Sequence, residues 1–274
     1  MTDNWIKNGR KHDTGRLSER ILTDSLASRA ETPDVLRVIY YDTVGSTNTE
    51  AKLMAIDGIP TLLVAEEQTG GRGRTGKSFL CPRGDGVYMS LLIYPKLSAR
   101  EALGITAYTA VVARRAIERV CGVSAGIKWV NDLYLGGKKV AGILTEGRAD
   151  AESGMLDFAV VGIGINLHES DLGELNEIAT SIEGEGGTPT DRITLITEII
   201  AEFFACFDDI GTREIAAEYA RHSVIEGRRI TVTKGDTVTD ATALAVGEDL
   251  RLLIRTDDGR ELWLDSGDVS LKLK

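Results

Sequence analysis

The feature that most constrains the fold is a change of pattern near residue 225. From Val38 onward, apolar strand-like runs alternate with helix-like ones. Strands are expected at 38–44, 61–67, 86–94, 126–135, 139–146 and 155–166. Helices are expected at 47–56, 98–120, 193–207 and 213–222. Such alternation needs a sheet with helices packed on it. After Ile225 the runs become short and close together, at 229–233, 237–246, 251–256 and 260–265, with Asp258-Gly259 as a tight turn. That spacing suggests a small β-barrel. A boundary near Glu226 follows, and the 274 residues divide into a tail with one helix (1–37), a main domain (38–223) and a C-terminal domain (224–274). The pattern alone therefore calls for a main domain of sheet and packed helices followed by a small all-β unit.

Composition narrows the function. The net charge is −10, so general binding to a phosphate backbone or an anionic membrane is not expected. No apolar run reaches the roughly 18 residues of a membrane helix. The first sixteen residues lack the apolar core of a signal peptide. A cytoplasmic protein is expected, with no membrane partner. Cys81, Cys121 and Cys206 form no CxxC pair, and His12, His168 and His222 are scattered, so neither a disulfide framework nor a zinc site is indicated.

Four segments carry candidate chemistry. In Gly70-Gly71-Arg72-Gly73-Arg74-Thr75-Gly76-Lys77, three cations fall within six residues of an acidic chain. Glycines let backbone approach a ligand, and backbone N–H groups with Arg and Lys make an anion cradle. Residues 71–78 also satisfy the G-x-x-x-x-G-K-[ST] phosphate-loop pattern, which requires a following helix. Pro82, Gly84 and Gly86 follow instead, so a P-loop NTPase is disfavoured. In the second segment, Lys128, Asn131, Asp132 and Lys139 flank a hairpin turn at Gly136-Gly137. They meet at one end of that hairpin or decorate its surface. The third, Gly45-Ser46-Thr47-Asn48, opens a helix, with Thr47 to Glu50 as a capping box. Its hydroxyls and amide cap the helix or hold a polar ligand. The fourth, Gly162-Ile163-Gly164-Ile165-Asn166, puts glycines inside a strand, where another backbone or a ligand comes close.

In this order these segments resemble the biotin protein ligases, or biotin–[acetyl-CoA-carboxylase] ligases. The pairing of Gly71-Arg72-Gly73-Arg74-Thr75-Gly76 with Lys128-Trp129-Val130-Asn131-Asp132 is the most specific part. The resemblance implies an α+β fold, with a mixed-sheet catalytic domain of the class II synthetase-like type and a small SH3-like C-terminal barrel. It places Ser46, Thr47, Asn48, Gln68, Arg72, Gly73, Arg74, Lys139 and Gly142 around biotin. It places Lys77, Phe79, Lys128, Asn131, Asp132, Lys139 and Asn166 around ATP, and gives Asp132 a part in holding Mg²⁺. Lys139, Arg74 and Asp132 become the catalytic candidates.

The implied reaction activates biotin with ATP to biotinyl-5′-AMP and transfers it to a lysine of a biotin carboxyl carrier protein, with no tightly bound prosthetic group. A lipoate or octanoyl ligase on the same fold is the alternative. Fewer than forty residues precede the first expected core strand, too few for the roughly 60 of a DNA-binding winged helix, so no DNA partner is expected. A monomer and a homodimer both remain open. The chain departs from the family pattern at Val130 (usually Pro), Phe79 (commonly Trp) and Cys81 (commonly Ser).

Overall fold

The computed structural model describes residues 17–170, 172–265 and 267–271. The first sixteen residues of the expected N-terminal tail, His12 among them, lie outside the described residues. The tail's one helix is α1 (Glu19–Ala27), capped by Ser18, which seats Leu22 and Leu26 in the core.

The main sheet combines β1 (Arg37–Tyr41), β2 (Thr61–Ala65), β3 (Gly86–Ile93), β4 (Gly126–Lys128), β5 (Asp132–Leu135), β6 (Lys138–Ala149) and β7 (Leu156–Asn166). Their order is β1-β2-β3-β7-β6-β5-β4. The β1–β2 pair is parallel and the remaining pairs are antiparallel, so the sheet is mixed, as expected. β3 is buried along its whole length, which explains its unbroken apolar sequence.

The two faces of the sheet have different tasks. On one face, α1, α3 (Ala102–Cys121), α4 (Arg192–Ala205) and α5 (Arg213–Arg221) bury a large core that includes Leu62, Leu91, Val161 and Ile165. The Ser98–Glu101 capping box is present and leads into α3. On the other face, the short helix α2 (Thr47–Leu53) covers only Leu63, Leu92, Phe158 and Val160 through Ala51. The rest of that face stays open.

The C-terminal strands are β8 (Arg229–Lys234), β9 (Thr237–Val246), β10 (Leu252–Thr256), β11 (Glu261–Leu264) and β12 (Asp268–Leu271). They form one antiparallel sheet in the order β11-β10-β9-β8-β12. Sequence reasoning missed β12, which crosses over to pair with β8. Its few residues carry little pattern of their own. The run expected as one strand at 126–135 is two strands, β4 and β5, separated by a turn at Trp129–Asn131. No membrane-length apolar helix exists among the described residues.

Candidate active site

The open face holds a cavity of about 600 Å³. Its floor is made by removing side chains. Gly142 on β6 pairs with Gly164 on β7, and Gly162 stands two residues further along the same face. A Cβ at Gly162 would lie 2.2 Å from Asn48 Oδ1, and one at Gly164 would lie 2.7 Å from the Phe79 ring. A Cβ at Gly142 would meet Lys139 Nζ at 2.9 Å. The glycines therefore make room rather than turns.

One end of the cavity is a closed network of hydroxyls and amides. The Thr47 N–H and hydroxyl both donate to Gln68 Oε1, at 2.8 and 3.1 Å. Ser90, fully buried, donates toward Thr47 Oγ1 and Asn48 Oδ1, each at 2.6 Å. Asn48 Nδ2 donates to Glu146 Oε2 at 3.0 Å and to the Leu144 carbonyl at 3.2 Å. Gln68 Nε2 reaches Cys81 Sγ at 3.1 Å, and burial pushes that thiol up to about 12. The capping-box reading of Thr47 fails here. Ser46, not Thr47, is the N-cap and makes no side-chain cap, and the Thr47 hydroxyl donates to Gln68 instead of capping the helix.

The other end is cationic. Lys139 Nζ lies 2.7 Å from Asp132 Oδ1 and 5.7 Å from the centre of the Phe79 ring. A register shift between Leu133 and Tyr134 opposes Lys139 to Tyr134 while Ala141 stays opposite Leu133. Such a bulge re-aims a side chain. Lys128 Nζ lies 3.1 Å from the Tyr134 hydroxyl, and burial lowers its pKa. Arg74 donates to Asn131 Oδ1 at 3.3 Å, and Asn131 is fixed by bonds from its Nδ2 to the Ile143 carbonyl and from the Ile143 N–H to its own carbonyl, both 2.9 Å. Asn166 donates to the Thr180 carbonyl at 3.0 Å and so holds the 172–180 segment against the cavity.

Every residue singled out from the sequence lines this one cavity: Ser46, Thr47, Asn48, Gln68, Arg72, Gly73, Arg74, Lys77, Phe79, Lys128, Asn131, Asp132, Lys139, Gly142 and Asn166. Five cations face three carboxylates there, on a chain of net charge −10. Of the two readings left open for Lys128, Asn131, Asp132 and Lys139, the structure has all four on the cavity wall, with Lys139 paired to Asp132 and Lys128 opposite Asp132 in register. The phosphate-loop reading is not supported. Ser78 pairs back to Arg72 as an antiparallel bridge, and no helix follows Lys77. Sequence reasoning missed Tyr134, Ser90 and Asp268. Tyr134 was legible from strand alternation with Asp132, whereas Ser90 is a lone polar residue in an apolar run.

Residues 42–166 match the model of the biotin/lipoate A/B protein ligase family. The bifunctional ligase/repressor BirA of Bacillus subtilis is 32% identical over 85% of this chain and 74% of its own length. The chain belongs to the biotin protein ligase family. The biotin–[acetyl-CoA-carboxylase] ligase of Paracoccus denitrificans is 30% identical over 79% of this chain and 93% of its own. Among solved structures, the biotin protein ligase of Aquifex aeolicus in complex with biotin and ATP superposes with a TM-score of 0.70 at 26% identity, covering 87% of this chain and 99% of that one. As in other biotin protein ligases, this chain is an enzyme of mixed α+β architecture with a C-terminal β-sheet.

Among the described residues no three His, Cys, Asp or Glu side chains cluster as a metal cage. Mg²⁺ binds through one or two carboxylates plus substrate phosphates, and Asp132 on the cavity wall suits that mode.

Proposed function

We propose that this chain activates biotin with Mg-ATP, releasing pyrophosphate, and passes the biotinyl group to a lysine of a biotin carboxyl carrier protein or carboxylase domain, releasing AMP. The observation that carries the reading is the single cavity that joins a hydroxyl/amide end to a cationic end. Biotin is an apolar bicycle with a polar ureido edge and an anionic tail. The Thr47–Gln68–Asn48–Ser90 network suits the ureido edge, and the glycines seat the Asn48, Phe79 and Lys139 side chains that bound the space for the bicycle.

The nucleophile is the biotin carboxylate itself, so no activated serine or cysteine is needed. One of its oxygens bonds to the α-phosphorus of ATP, the bond to the β-phosphate oxygen breaks, and pyrophosphate leaves with that electron pair. The obstacle is repulsion between two anions. Lys139, Arg74 and Lys77 offset it by preorganised charge, and Mg²⁺ bound with the nucleotide, which Asp132 would help hold, would supply further neutralisation of the phosphates. Asp132 fixes the Lys139 ammonium through its 2.7 Å contact and is available to the metal. Asn131 positions Arg74. Phe79 offers a face for adenine, and Lys128 and Asn166 border the nucleotide side. The acceptor lysine then attacks the acyl carbon and AMP leaves. Ser46, Arg72, Gly73 and Gly142 complete the biotin side.

The assignment of residues 38–223 to catalysis and 224–274 to a separate SH3-like domain, the cytoplasmic setting and the absence of a DNA partner belong to the same reading. The deciding experiment measures pyrophosphate release with Mg-ATP and biotin, with lipoate as the control acid. Release with biotin and not with lipoate supports the reading. Release with lipoate alone moves the chain to the lipoate ligases, and release with neither ends the enzymatic reading.

A further inference from the structure

The Gly-Arg loop is a small hairpin. The Phe79 N–H donates to the Gly71 carbonyl at 3.0 Å, and the Gly73 N–H donates to the Lys77 carbonyl at 2.7 Å. At its tip Thr75 sits at φ +51°, a left-handed conformation that a β-branched residue rarely adopts. Such a conformation persists where surrounding contacts over-determine it. The contact here comes from the C-terminal sheet. The Thr75 hydroxyl donates to Asp268 Oδ2 at 2.7 Å, and Lys77 Nζ lies 2.9 Å from the same oxygen. Asp268 begins β12 and is held in register opposite Thr233 of β8. Its side chain is 20% exposed, whereas that of Lys77 is 67% exposed. Burial pushes the Asp268 carboxyl up, yet the bonds from Thr75 and Lys77 and the nearby Arg74 hold it below its ordinary value. Thus a rigid strand presents a largely covered carboxylate to the tip of a glycine-flanked loop.

We propose that Asp268 anchors the hairpin closed over the cavity, so that the C-terminal sheet sets how long the acyl-adenylate is retained. This rests on the function proposed above. Asp268 acts through Thr75 and Lys77 and is a positioning residue. Closing a loop with glycines at positions 73 and 76 costs backbone entropy, and charge-assisted bonds to a fixed acceptor offset it. When the loop opens, water reaches the mixed anhydride. Its oxygen bonds to the acyl carbon, the bond to the AMP phosphate oxygen breaks, AMP leaves with that electron pair, and a proton is released to solvent.

The test uses the full chain with biotin and Mg-ATP and no acceptor protein. A retained intermediate gives a one-turnover burst of pyrophosphate, then a slow phase limited by loss of biotinyl-AMP. Asp268→Ala should keep the burst and speed the slow phase at least about tenfold, the worth of one charge-assisted hydrogen bond. Asp268→Asn, which keeps an acceptor for Thr75 but no charge for Lys77, should fall between. Thr75→Val removes the bond from the loop side and should act in the same direction, with little further effect in the double variant. An unchanged slow phase in a folded Asp268→Ala overturns the anchor. If that variant does not fold, an unchanged slow phase in Thr75→Val overturns it. Steady biotin-dependent release with no burst from the unaltered chain would overturn the anchor as well, whereas no pyrophosphate release at all would instead overturn the functional reading beneath it.

Discussion

At the residue scale, the contacts around Gly162 show how narrowly the cavity is fitted. An added methyl would stand 2.2 Å from Asn48 Oδ1, so Asn48 must move. Moving it breaks the bonds it shares with Ser90, worth about 1 kcal/mol, and with the Glu146 carboxylate, worth about 1.5–3 kcal/mol. Gly162→Ala should therefore weaken biotin binding about tenfold or more. Isothermal calorimetry checks this, and unchanged affinity would remove Asn48 from the biotin end. Lys139→Ala should lower biotin-dependent pyrophosphate release by about a hundredfold or more while leaving the circular dichroism spectrum intact, because it removes a preorganised charge from the cavity wall. Full release from that variant would take away its role. Both sites were legible as residue types. Strand glycines announce close approach and a lysine beyond a hairpin announces charge. What they approach was not legible, because Asn48 and Phe79 come from segments far away in sequence.

At the scale of elements, α2 is held to the sheet by a polar clamp. Lys52 Nζ lies 2.8 Å from Glu146 on β6, and Asn48 bonds the same carboxylate. Burial pushes the Glu146 carboxyl up, but the bonds from Lys52 and Asn48 and the charges of Lys52 and Arg72 outweigh it, and the group titrates below its ordinary value. A carboxyl depressed by folding stabilises the fold above its unfolded pKa, about 4.3, and loses that contribution as pH falls toward the folded value. The Tm advantage of the unaltered chain over Glu146→Gln should thus be full near neutral pH and shrink from about pH 5 downward. Calorimetric melting across that range checks it, and a pH-independent difference would assign the effect to shape rather than charge. The expected order of strands and helices is observed. The exceptions are the break at Trp129–Asn131 and the added strand β12. Both depend on pairing with distant chain rather than on local pattern.

At the scale of the whole molecule, the two sheets are joined by a buried hydrogen bond from Trp129 Nε1 to the Leu250 carbonyl, 2.9 Å long. Trp129→Phe leaves that carbonyl unpaired, at a cost of about 1–3 kcal/mol. Thermal unfolding should shift down by several degrees, on the order of 2–4 °C for each kcal/mol in a chain of this size. An unchanged Tm would show that the bond is replaced by water. One apolar cluster runs through both sheets, from Leu17 to Val269, and Asp268 reaches the Gly-Arg loop across the same junction.

Legible in the sequence were the mixed α+β class, a set of short, closely spaced C-terminal strands, and fifteen residues that meet in one cavity. The alternation of strands and helices follows from local periodicity and turn chemistry, whereas the mixed sheet and the grouping of the fifteen residues follow from the motif order shared with the biotin protein ligases. Tertiary structure alone decided the pairing of Gly142 with Gly164, the bulge that aims Lys139, the diversion of Thr47 from capping to Gln68, and the arrival of Asp268 at the loop tip. Each joins segments distant in sequence, and register, burial and hydrogen-bond competition between such segments exist only once the sheet has formed.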